Sequence, residues 1–129
     1  KAENATEGLQ NWKVECSDSP GNKASSVTQL YKLDKSGPAI SFLNLPHFII
    51  RGNLFSLIAN ITDLSSVKTA QSNYKSLTMG ATNLNVSQMN SSSLYTASLS
   101  TNINTTPEEY TFDWTADDQF DYQANLSVT

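Results

Sequence analysis

Apolar and polar residues alternate along most of this chain, and the alternation is densest from Ile40 to Ile61, ISFLNLPHFIIRGNLFSLIANI. In the second half of that stretch Phe55, Leu57, Ala59 and Ile61 fall on every other position, the period of a strand with one buried face. Arg51-Gly52-Asn53 supplies a turn, and Pro46 cannot donate to a sheet ladder, so the first half belongs at an edge or a break. The stretch therefore predicts a β-hairpin around which the core is built.

The same period recurs on both sides of the hairpin. Trp12, Val14 and Cys16 predict an inward face for a strand over residues 11–16, and Val27 to Leu33 a second strand. Between them Asp18, Ser19, Pro20, Gly21 and Asn22 are consecutive turn formers. Leu84 and Val86 mark a short strand and residues 90–93 a polar turn. Tyr95, Ala97, Leu99, Thr101 and Ile103 predict the next strand, then Tyr110, Phe112 and Trp114, then Phe120, Tyr122, Ala124, Leu126 and Val128.

One segment breaks the period. Leu64, Val67, Ala70, Tyr74 and Leu77 are spaced by three or four, with Asp63 at the N-cap position and Gly80 beyond the end, which predicts a short helix over residues 63–79. Strands separated by turns at about ten-residue spacing predict a mainly β chain, an antiparallel sandwich or barrel with that one helix. Its expected core comprises Trp12, Tyr31, Phe42, Phe55, Leu57, Ile61, Leu99, Phe112, Trp114, Tyr122 and Leu126. A length of 129 residues fits one domain, with residues 1–8 polar and flexible.

Composition narrows the function. Ser, Thr and Asn take the place of charged residues, and the net charge of −4 disfavours nucleic acid, whose binding rests on Lys and Arg neutralising phosphates. No apolar run approaches the ~20 residues of a membrane span. The start at Lys1, without Met, reads as a mature exported chain, so a secreted, cell-surface or periplasmic location is expected. The single Cys16 excludes an intrachain disulfide and reads as a small buried residue.

Catalytic chemistry is thinly represented. His47 stands alone in Leu45-Pro46-His47-Phe48, no serine sits in a nucleophile elbow, and no glycine-rich phosphate loop exists. A carboxylate pair of the carbohydrate-hydrolase kind would leave no local spacing to read and stands as the lesser alternative. No cofactor is expected apart from calcium.

Charge is distributed unevenly. Residues 1–75 carry all eight cations against six acids, net +2, whereas residues 76–129 carry no cation and six acids, net −6. Those acids are Glu108, Glu109, Asp113, Asp117, Asp118 and Asp121, a candidate surface for a basic partner. If Trp114 and Phe120 both face the core, the smallest register sets Asp113 opposite Asp121, with Asp117 and Asp118 in the loop beside them. Four carboxylates so placed could hold calcium through oxygen ligands. Acceptor sequons stand at Asn4, Asn60, Asn85, Asn90, Asn104 and Asn125. Two readings result: a non-enzymatic, secreted or surface-exposed adhesin, pilus-subunit or ectodomain module that binds a protein or glycan, and a small inhibitor or immunity protein that sets its acidic hairpin against a basic partner.

Overall fold

A computed structural model describes residues 5–101 and 107–129, and every regular element in them is a β-strand. The chain divides into two compact units, Lys1–Lys35 and Ser36–Thr129. In the first, β1 (Gly8–Trp12) pairs antiparallel with β4 (Gln29–Leu33), and the short β2 (Glu15–Ser17) pairs with β3 (Lys23–Ser25). Asp18 closes the β2–β3 turn by accepting the backbone N–H of Asn22 at 2.8 Å, and Gly21 takes φ +92°, which its missing Cβ permits. Trp12, Val14 and Cys16 are exposed, against the expectation that they face a core. Their alternation spans two short strands separated at Lys13 and Val14, so no single strand face collects them.

The second unit is one seven-stranded antiparallel sheet. Its strands are β5 (Ala39–Asn44), β6 (Leu54–Thr62), β7 (Val67–Ser76), β8 (Thr82–Gln88), β9 (Leu94–Ser100), β10 (Tyr110–Asp118) and β11 (Gln123–Val128), in the spatial order β11-β10-β7-β8-β9-β6-β5. β8 turns the corner: Thr82–Leu84 pair with β7, while Asn85–Gln88 pair with β9. The far edges meet as β11 comes back against β5, leaving a nearly closed barrel. Gly37 permits the approach, because a Cβ there would stand 3.0 Å from the backbone carbonyl of Gln123. The mainly β, sandwich-or-barrel prediction holds.

The interior follows strand parity. Leu57, Ala59 and Ile61 from β6, Ala97 and Leu99 from β9, and Phe112, Trp114 and Ala116 from β10 form one buried cluster, with Ile40, Phe42, Phe55, Leu84 and Val86 packed against it. The Phe42 ring meets the Trp114 indole edge-on, centroids 6.4 Å apart. The hairpin prediction stands as the β5–β6 pair with Ile40 opposite Ile61, and Pro46 falls in the break beyond the end of β5, which is last in the strand order.

Two further expectations are corrected. No helix occupies residues 63–79, where β7 pairs along its length with β10. Its inward positions include Ala70, Ser72 and Tyr74, and the polar Ser72 hides the alternation. Leu64 and Leu77, which completed the helical spacing, lie outside the strand and are exposed. Phe120 and Tyr122 belong to the β10–β11 turn and are exposed, so of the final predicted face only Ala124, Leu126 and Val128 continue as strand. Ile103 lies outside the described residues.

Two substitutions test this arrangement. Leu57→Ala removes a fully buried side chain and should cost about 2–5 kcal/mol in urea unfolding. Gly37→Ala should cost about 1–3 kcal/mol, because β11 backbone cannot retreat as a flexible side chain could. An unchanged urea midpoint in the second would mean that the barrel does not close there.

Candidate functional site

At one end of the barrel, where β6 and β10 begin and β9 and β11 finish, the strands splay around a cavity of about 1130 Å³. Its floor is core: Leu57, Leu99, Phe112 and Val128 present their ends to it, and Tyr74 and Tyr110 flank them. One wall is the 45–53 connection between β5 and β6, which carries Leu45, Phe48, Ile49, Ile50 and the polar His47 and Arg51. Glu108 and Glu109 lie opposite, at the start of β10.

The 45–53 connection projects because its local sequence resists pairing. Pro46 lacks an N–H, and Gly52 takes φ +84°, so the predicted tight turn at Arg51-Gly52-Asn53 is the last part of a longer loop. At its start Asn44 substitutes for backbone where β5 bulges, accepting the N–H of Ile58 at 2.6 Å and donating to the carbonyl of Ser56 at 2.8 Å. At its end Thr101 donates its hydroxyl to the carbonyls of Ile50 and Asn53, at 3.2 and 3.0 Å. Of the loop's apolar side chains Ile49 packs against the core, whereas Phe48 is 79 % exposed and Ile50 63 %.

The polar groups of the mouth are few and mostly engaged. Glu108 accepts hydroxyls from Thr78 and Ser76, at 2.7 and 2.8 Å, and these hold its carboxyl below the usual value. Burial, aided by the Glu108 charge, pushes the Tyr110 phenol up. His47 is exposed on the loop.

The predicted acidic surface is dispersed by the sheet. Asp113 lies opposite Ser127, and Trp114 opposite Leu126, which corrects the register that set Asp113 against Asp121. On the outer face Asp113 accepts the Ser127 hydroxyl and the Lys75 ammonium, the latter at 2.9 Å. Asp117 accepts from Thr69 and Gln123 at 2.8 and 2.9 Å, and Asp121, in the turn, pairs with Lys68 at 2.5 Å. Asp118 points inward and is fully buried. Asp113, Asp117, Asp118 and Asp121 thus occupy an outer face, a turn and the interior rather than one cluster, and Glu109 lies at the cavity mouth.

Of the sequon residues, Asn85, Asn90 and Asn125 are exposed and Asn60 is half-buried within β6, while Asn4 and Asn104 lie outside the described residues. The reading by charge missed the cavity, whose local signal was the run Leu45 to Ile50, too apolar for a loop that merely connects strands. The chain matches no protein-family model, and neither curated proteins nor solved structures provide a match.

The carboxylates of β10 set an acid limit to stability. The Ser127 hydroxyl, then the Lys75 ammonium, hold Asp113 below its ordinary value, and Thr69, then Gln123, do the same for Asp117. A depressed carboxylate contributes fully above its unfolded value, near 3.8, and loses that contribution as the pH falls through the lower folded value. Melting temperatures should therefore drop below about pH 4. Asp113→Asn should destabilise at pH 7 by about 1 kcal/mol or less, as partly exposed pairs do, and should flatten the acid limb.

Proposed function

We propose that this protein is a non-enzymatic binding module whose site is the open end of the Ser36–Thr129 barrel, and that its ligand is an apolar or amphipathic molecule seated on Leu57, Leu99 and Phe112. The observation that carries the reading is the cavity itself, slightly larger than the ~300–1,000 Å³ of ordinary small-molecule sites and continuous with the apolar core. Small barrels of this kind bind in their mouths, because the strand ends fix a concave wall that loops can vary. The exposed Phe48, Ile50 and Met79 support it, since apolar groups gathered at a rim mark contact surfaces. An extracytoplasmic location accords with the sequons and the low charge.

The rim also favours a second reading, in which a partner protein inserts apolar side chains into the mouth. Adhesin-like binding of a protein would use the same surface, whereas no feature of the described residues singles out a glycan. The outward carboxylates Asp113, Asp117 and Asp121 already have partners within the chain, so the inhibitor reading draws less support.

Titration with a fluorescent fatty acid separates the readings. Wild type should bind it in the micromolar range, Leu99→Trp, which fills the floor, should weaken binding at least about tenfold, a loss of ~1.4 kcal/mol, and Phe48→Ser should weaken it less. Circular dichroism checks that both variants fold. If wild type fails to bind, or Leu99→Trp binds as tightly as wild type, the cavity is not a small-molecule site.

A further inference from the structure

The inward row of β10 runs Phe112, Trp114, Ala116 and then Asp118, so a carboxylate takes a core position at the barrel end opposite the cavity. Parity explains the placement: β10 alternates without interruption, and the irregularity between Asp117 and Asp118 falls in its pairing with β7. Half of the Asp118 carboxylate has a structural role. Its Oδ1 accepts the backbone N–H groups of Phe120 and Tyr122 at 2.8 and 2.9 Å, and its own N–H reaches the Tyr122 carbonyl at 3.1 Å, which together shape the β10–β11 turn. The other half has none, for Oδ2 is buried without a hydrogen-bond partner.

A second carboxylate faces it. Asp63 lies on the connection that carries the chain across this end from β6 to β7, and a carboxylate oxygen of Asp63 lies within 4.8 Å of one of Asp118. The connection holds it there: Oδ2 of Asp63 accepts the N–H and the hydroxyl of Ser65 at 2.8 and 2.7 Å, and Ser66 takes φ +92° to bring the chain into β7. The nearby cation of β7, Lys68, is committed to Asp121. Two carboxylates brought together from separate segments, one with an oxygen that neither solvent nor protein satisfies, form an arrangement that costs stability unless positive charge joins it.

We propose that Asp63 and Asp118 bind a divalent cation of the calcium class at this end of the barrel. Calcium takes oxygen ligands at ~2.3–2.6 Å, so one ion can bridge oxygens up to about 5 Å apart, a span that covers the separation here. The set replaces the four-aspartate arrangement expected from sequence, sharing only Asp118 with it, and the ion completes its shell with carbonyl oxygens or water, as calcium does. The site is independent of the cavity and of what binds there.

Protein freed of metal by a chelator should gain several degrees of melting temperature with 1 mM calcium chloride beyond a sodium chloride control of equal ionic strength, and calorimetry should give one site per chain. Asp63→Asn, which leaves the Asp118 turn intact, should abolish the calcium-specific gain. Asp121→Asn, which removes an exposed carboxylate outside the pair, should retain it. A wild-type shift equal to the sodium control together with no calorimetric heat overturns the proposal, as does a gain that survives Asp63→Asn or disappears in Asp121→Asn. Should Asp63→Asn fail to fold, the calorimetric stoichiometry of wild type decides alone: one site upholds the proposal, none overturns it.

Discussion

The Ser36–Thr129 barrel depends on burying Trp114 completely. The indole lies between large and small neighbours: Phe42 meets it edge-on and Leu126 pairs with it on β11, while Ser72 is its partner on β7, Ala70 pairs with Ala116, and Ala59 and Ala97 belong to the same cluster. The fit has a polar cost, since Trp114 Nε1 and Ser72 Oγ are both buried without hydrogen bonds. Each such group costs about 1–3 kcal/mol. Burying an aromatic side chain of ~150–250 Å² contributes about 4–6 kcal/mol at 25 cal/mol/Å². Packing outweighs either loss and roughly matches both, so the core tolerates a polar Ser72 beside the indole.

Strand parity made most of this barrel readable from sequence, and its failures are physical. Leu57, Ile61, Leu99, Phe112 and Trp114 announce themselves because their strands pair on both sides and alternate over several residues. β7 does not, because its inward positions are Ala70, Ser72 and Tyr74, two of them small beside Trp114, and because Val67 precedes them out of phase where β7 carries one residue more than β10. A strand whose inner face is small and polar carries a weak period-2 signal, and Leu64 and Leu77, both outside it, completed a helical one by accident. The Ser and Thr content of residues 65–78 weakened the helical propensity sum from the start.

Electrostatics was legible only as a sum along the chain. Sequence separates eight cations from the six terminal acids, yet the sheet sets β7 beside β10, so that Lys75 reaches Asp113 and Lys68 reaches Asp121 in the adjoining turn. The imbalance of +2 against −6 is thus partly cancelled between neighbouring strands, and the acidic segment is neither an isolated negative surface nor a single cation cage. No count along the chain could foresee it, because the pairing of β7 with β10 skips two intervening strands.

The two ends of the barrel differ in what secures them. At one, Asp118 gathers the N–H groups of Phe120 and Tyr122 while Asp63 fixes the β6–β7 connection through Ser65, so the backbone there is held by side chains from within. At the other, the 45–53 loop rests on Thr101 and exposes Phe48 and Ile50 to water. Few buried contacts and exposed hydrogen bonds place that loop at the low end of local stability. The barrel therefore opens more readily at its apolar mouth than at its acidic end. A molecule entering the cavity meets the segment that costs least to move and finds Leu57 and Phe112 already fixed by the core beneath.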